Sequence, residues 1–139
     1  MRERNLEAIA ELMLQVARKV EAEANASELK PAQWAALRYL ERAAPSARTN
    51  NAFARYHQTT TGTVTLTLKA LFEKGLLRRE SDPDDKRLVR FEVTPAGSEA
   101  LQHDPFRSLV KDLRSLRPEQ RASLLDALTD LLIESDRDR

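Results

Sequence analysis

Apolar residues recur at helical spacing along most of the chain and alternate in only a few places. Over residues 4–24, Leu6, Ile9, Met13, Val16 and Val20 share one side of a helix and charges fill the other. Residues 25–27 break that pattern. A second helix opens at Leu29-Lys30-Pro31, with the proline suited to a first turn. Trp34, Leu37, Tyr39 and Leu40 form its apolar side, and it ends near Ala44-Pro45. Trp34 reads as core rather than as a ligand platform. A short third helix is predicted after Thr49, whose hydroxyl can cap it, and takes in Ala52, Phe53 and Tyr56 before a turn at His57-Gln58.

Residues 59–74 carry two competing patterns. Thr63 to Leu68 alternates and is β-branched, which is a strand signal. The alternation fails from Lys69 to Lys74, whereas a helix places Val64, Leu68 and Leu71 on one stripe. Thr59 or Thr60 supplies an N-cap and Gly75 a stop, so a helix is predicted despite its poor intrinsic propensity. Gly62, Leu66 and Lys69 then point away from the core stripe, with Thr63 and Ala70 close by. Residues 76–80 and 88–93 read as a hairpin in which Val89, Phe91 and Val93 face inward. Ser81-Asp82-Pro83-Asp84-Asp85-Lys86-Arg87 between them is turn chemistry.

Further on, Thr94-Pro95 starts a helix and Asp104-Pro105 interrupts it. Phe106, Leu109, Val110, Leu113 and Leu116 make one apolar stripe. Leu124, Leu125, Leu128, Leu131 and Leu132 make another after Pro118. One chain has little left to cover these stripes and the first helix, so a second subunit is the expected partner. Leu6, Ile9, Met13, Leu113, Leu124, Leu128 and Leu131 are the candidate dimerisation residues.

Composition narrows the class. At 139 residues the chain fits one domain with a real core, and 32% charged residues with three glycines favour a helical protein. Zero cysteines exclude disulfides, thiolate zinc sites and thiol redox switches. His57 and His103 are isolated from other metal ligands, and no metal or cofactor is expected. No run of eighteen apolar residues and no secretion signal occurs, which places the chain in the cytoplasm as an expectation. The net charge is only +1, but residues 48–90 hold nine Lys/Arg against five Asp/Glu, or +4, and the remainder carries 14 against 17, or −3. A basic middle suits phosphate contact. No phosphate loop, nucleophile elbow or paired-histidine motif is present, so an enzyme is not expected.

A helix with a small, nearly uncharged outer face suits the DNA major groove, where hydroxyls meet base edges and apolar groups meet thymine methyls. The reading candidates are Thr60, Thr61, Gly62, Thr63, Leu66, Thr67 and Lys69. In the turn, Asp85 is placed to orient Arg87, leaving Lys86 or Arg87 for phosphate or the minor groove. The competing class is a winged-helix protein-interaction module that docks a partner protein on the exposed Leu66 face.

The segments Leu29 to Leu37, Gly62-Thr63-Val64-Thr65 and Leu71-Phe72-Glu73-Lys74-Gly75-Leu76-Leu77 give the sequence a specific resemblance. So do Arg78 to Arg87, with its Asp-Pro-x-Asp-x-Arg pattern, and Val93-Thr94-Pro95-Ala96-Gly97. Together they resemble the MarR family of bacterial winged-helix transcriptional regulators over nearly the whole length. Lys30, Leu66 and His57-Gln58 depart from the usual family residues. The resemblance implies a mainly α fold with a small two- or three-stranded β-wing: a winged helix-turn-helix with N- and C-terminal dimerisation helices. It implies one domain over 1–139, with dimerisation helices at about 1–25 and 98–139 and the lobe at about 30–97. It implies double-stranded DNA and a second copy of the chain as partners. For many members it also implies a small-molecule effector bound between lobe and dimerisation region.

Overall fold

The structure, a computed structural model, describes residues 2–138, so the first and last residues of the expected 1–139 domain lie outside it. Its helices are α1 (Glu3–Asn25), α2 (Pro31–Arg42), α3 (Asn50–Tyr56), α4 (Thr61–Glu73), α5 (Pro95–Ala100), α6 (Phe106–Arg114) and α7 (Pro118–Arg137). Strands β1 (Leu77–Ser81) and β2 (Val89–Val93) stand between α4 and α5. The chain forms two compact units, Met1–Pro105 and Phe106–Arg139.

The first unit is built on three helices and the base of the hairpin. Trp34, Ala36, Leu37 and Leu40 from α2 meet Phe53 and Ala54 from α3, and Val64, Leu68 and Leu71 from α4; Leu77 and Leu101 close the cluster. Each fully buried leucine or phenylalanine contributes about 1.5–3 kcal/mol over its exposed state. Trp34 is core, as its position predicts, and its indole N–H donates to Ser27 Oγ at 2.9 Å. The same Ser27 hydroxyl lies 2.6 Å from Ala24 O and 3.0 Å from Leu29 O, which fixes the α1–α2 loop.

Lys30 cannot cap α2 in the way a serine would. Gln33 Oε1 instead accepts the Lys30 backbone N–H at 3.0 Å, and Pro31 has no N–H to satisfy. Helix α7 opens with the same cation-Pro-x-Gln device, Gln120 Oε1 accepting from Arg117 N at 3.0 Å. Side-chain caps close three other starts: Thr49 Oγ1 accepts from Ala52 N, Thr60 Oγ1 from Thr63 N, and Thr94 Oγ1 from Gly97 N. The helix reading of 59–74 holds because packing of Val64, Leu68 and Leu71 outweighs the threonines' preference for strand. Gly75 ends it at φ 75°, in the region where a side chain would be strained.

The sheet has two antiparallel strands, with Leu77 opposite Val93 and Ser81 opposite Val89. Where a third strand would pair, one hydrogen bond stands instead, from Phe91 N to Arg48 O at 2.8 Å. The expected burial of the whole Val89, Phe91, Val93 face needs correction. Phe91 and Val93 pack on the core, but Val89 is exposed because its strand pair extends past the end of the lobe. At the other end the hairpin meets α5 closely. A Cβ on Gly97 would stand 2.4 Å from Leu76 O and 2.7 Å from a Val93 methyl, so only glycine allows this approach.

Asp104-Pro105 ends the helical run that begins at Pro95, as expected of that pair. A 3-10 turn over Leu101–His103 precedes it, and the buried Asp104 carboxylate takes Arg38 Nη1 at 2.8 Å on both oxygens. The ion pair ties the end of this unit to α2. In the second unit, Leu113 and Leu116 are half-buried, while Leu124, Leu125, Leu128, Leu131, Leu132 and Ile133 are exposed. Leu6, Ile9 and Met13 are likewise exposed along α1. Among the described residues, no helix is long and apolar enough to cross a membrane.

Candidate nucleic-acid interface

Helix α4 and the hairpin tip present the candidate residues. Thr60, Thr61, Gly62, Thr63, Leu66 and Lys69 lie on the exposed side of α4, and Leu66 is 71% exposed. Thr67 is half-buried, turned further toward the lobe than the others. The hydroxyls are partly spent. Thr65 and Thr67 donate to the carbonyls one turn back, at 2.8 and 3.2 Å, and Thr60 donates to Thr63 Oγ1 at 2.9 Å. Among the described residues, the Thr61 and Thr63 hydroxyls donate to no acceptor. Around Gly62 there is open space: a Cβ added there would meet nothing within 4 Å, so the fold does not require glycine at this position.

The tip is organised by Asp82, whose place in an acidic turn suggests no more than ordinary solvation. It is 7% exposed. Its Oδ1 accepts the backbone N–H groups of Asp84 and Asp85 at 2.8 and 3.1 Å, and its Oδ2 pairs with Arg90 Nη2. Those backbone donors are the main cause that holds the Asp82 carboxyl below its ordinary value; partial desolvation opposes them and Arg90 helps. The turn then closes with Leu88 N on Asp85 O at 3.0 Å and Asp82 N on Leu88 O at 2.9 Å. An Asp followed by proline and further acids is the signature that could have exposed this, since such a side chain bonds its own backbone two residues on.

Asp85 sits as expected beside Arg87. Its Oδ1 accepts from Arg87 N at 3.0 Å and from Arg87 Nε at 3.4 Å. The Arg87 side chain is otherwise in solvent, at 94% exposure. Lys86 is also exposed. Behind the tip, Arg78 pairs with Glu92 and lies 3.4 Å from Glu80. The Arg78 hydrogen bond is the first cause that keeps the Glu92 carboxyl low, and it raises the guanidinium in return. Glu80, Asp82, Asp85 and Glu92 each therefore lie beside an arginine of the wing.

An exposed helix following a short helix and turn, with an arginine-tipped hairpin beside it, defines the winged helix-turn-helix class. The model of the MarR family matches residues 29–89, the stretch from the start of α2 into β2. The match takes in a little under half of the chain, which resembles the MarR family over that stretch. Several solved structures are similar over nearly its full length. FabT of Streptococcus pneumoniae in complex with DNA shares 22% identity at a TM-score of 0.77, with 99% of each chain covered. MepR of S. aureus in its DNA-binding conformation shares 22% at 0.76, covering 94% of this chain and 97% of MepR. The regulator BldR from Sulfolobus solfataricus shares 23% at 0.72, covering 96% and 99%. No curated protein matches the chain by sequence.

Proposed function

We propose that the chain is a sequence-specific DNA-binding transcriptional regulator that acts as a homodimer in the cytoplasm and has no enzymatic activity. The observation that carries this reading is the pairing of two unlike surfaces: the open, small-residue face of α4 and the solvent-projecting Arg87 steadied by Asp85. Thr60, Thr61, Gly62, Thr63, Leu66, Thr67 and Lys69 meet the major groove. Lys86 and Arg87 meet the flanking backbone or minor groove. The match of residues 29–89 to the MarR family model and the likeness to FabT in complex with DNA and to MepR in its DNA-binding conformation support it.

A dimer follows from the apolar side chains that one chain leaves exposed on α1 and α7, with Leu6, Ile9, Met13, Leu124, Leu128 and Leu131 among them, together with the half-buried Leu113 on α6. Two reading helices then address half-sites about 34–36 Å apart. A cleft of about 570 Å³ between the α1–α2 loop and α5, lined by Leu29, Trp34, Leu76, Lys74 and His103, gives a small effector room within the first unit.

The test is selection of bound sequences from a random duplex pool, followed by affinity against salt. A recovered two-fold consensus with a steep salt slope is expected. No binding at low salt would favour the protein-interaction module instead.

A further inference from the structure

Every arginine of the wing apart from one has a carboxylate beside it: Arg78 has Glu92, Arg87 has Asp85, and Arg90 has Asp82. Arg79 is the exception among the described residues. Its guanidinium lies over the Phe72 ring, 4.1 Å from the centroid. A flat stack of this kind holds the group in place while leaving its edge N–H donors unspent. Arg79 is exposed, and it lies opposite Phe91 in the strand register, on the side of the hairpin that turns toward α4.

That edge opens on a cleft of about 230 Å³ between the wing base and α4. Lys69 and Glu73 stand on its α4 wall. Their separation of 4.0 Å on an exposed helix face makes a weak pair, so Lys69 can exchange Glu73 for another anion at little cost. Thr65 on the same wall offers no free proton, because it donates to Thr61 O and receives Asn50 Nδ2 at 2.6 Å. The cleft thus holds two cations and one acid; Asn50 on its lining spends an N–H on Thr65 and, among the described residues, its buried Oδ1 has no donor, so the charged donors facing the cleft are those of Arg79 and Lys69. This chemistry suits an oxyanion.

We propose that Arg79, preset by Phe72 and assisted by Lys69, is a phosphate clamp that grips the DNA backbone between the reading helix and the wing. The inference rests on the DNA-binding reading above. A backbone phosphate is the favoured occupant because Lys69, on the cleft wall, also belongs to the exposed side of α4 that this reading sets in the major groove. Phosphate contact carries affinity and register but no base preference.

The experiment measures duplex affinity against salt for wild type, Arg79→Gln, Arg79→Lys and Phe72→Leu, with the selected consensus sequence. Arg79→Gln should lower affinity about tenfold and reduce the salt slope by about 0.9, with the sequence preference unchanged. Arg79→Lys should recover the slope but not the full affinity, since lysine keeps the charge and loses the planar stack. Phe72→Leu should weaken affinity in wild type and have little further effect in Arg79→Gln, which separates positioning from a general packing loss. A wild-type slope in Arg79→Gln overturns the clamp alone, while failure of wild type to bind any duplex removes the clamp together with the reading beneath it. Inorganic phosphate shifting the Arg79 Nε–H resonance, with duplex binding of Arg79→Gln intact, assigns the cleft to a free anion and also overturns the proposal.

Discussion

Helix α4 and the wing tip are close neighbours in sequence and hold their shapes by opposite means. In α4, Val64, Leu68 and Leu71 are buried in the lobe core, and the Lys69–Glu73 ion pair on the helix is exposed and weak. In the tip, the one buried side chain is a carboxylate, and the chain folds around it through Asp84, Asp85 and Arg90. Apolar packing is indifferent to pH and cooperative with the whole lobe. A loop built on an ionised acid can come undone by itself. The reading helix is therefore as stable as the lobe, and the wing has a separate, acid-sensitive stability.

The largest effect should come from removing the helix's support. Leu71 is 0% exposed, so Leu71→Ala leaves a cavity at the centre of the core and should cost about 2–5 kcal/mol, measured by urea or thermal unfolding. Helix and wing should be lost together. If the wing amides kept their dispersion while α4 melted, the two regions would be less coupled in that direction than the packing implies.

Substitution at Asp82 should have the next largest effect and remain local. Asp82→Ala removes the acceptor for two backbone donors and the partner of Arg90, and should disorder residues 82–88 while the core keeps its unfolding temperature within a few degrees. Amide exchange at Asp84 and Asp85 reads this directly. Acid should do the same to the wild type. The Asp82 carboxyl lies below its ordinary 3.8 in the folded protein, so its contribution is complete above the unfolded value and fades as pH falls through the folded one. Wing amide protection should hold at about pH 5 and decline below about 3.8, in protein without DNA. Wing protection that fails first on raising pH would contradict the assignment.

This contrast also explains what could be read in advance. The α4 helix was legible because apolar periodicity is a local signal, and the threonine cap and Gly75 mark its ends. The Asp85–Arg87 pair was legible because a single residue, Lys86, separates its members. The local bonds of Asp82 to Asp84 N and Asp85 N carry a signal of the same short range, but its pairing with Arg90 does not, since that partner lies across the turn on the other strand. Arg38 and Asp104 are 66 residues apart, and nothing in the intervening pattern pairs them. Arg79 was hidden for a similar reason: its ring partner, Phe72, belongs to a different element. Val89 was misplaced because alternation marks a face but not how far along the strand the lobe continues to cover it.

Gly62 should respond more weakly and in the opposite sense. Its surroundings are open and its backbone is helical, so Gly62→Ala should stabilise the lobe by up to about 1 kcal/mol through helix propensity. Gly62→Leu should leave stability near wild type and lower duplex affinity by about tenfold or more, because the side chain fills the space through which the major groove approaches. Equal DNA affinity for glycine and leucine would show that α4 does not come close to the bases at this point.

The smallest change in stability is expected at Arg87, and it sharpens the comparison most. At 94% exposure its side chain supports nothing in the fold, and the surface pair with Asp85 is of the kind that contributes little. Arg87→Ala should therefore unfold at the wild-type temperature. In a duplex titration it should lower affinity across all sequences and reduce the salt slope by about 0.9, the value for one lost phosphate contact. Asp85→Ala should fall between: the slope stays, because the arginine is still present, and affinity drops because its orientation must now be fixed at the moment of binding. If Asp85→Ala instead raised affinity, removal of a negative charge near DNA would outweigh the ordering of Arg87. The acids of the wing would then be tolerated neighbours of the contact rather than the means by which it is held.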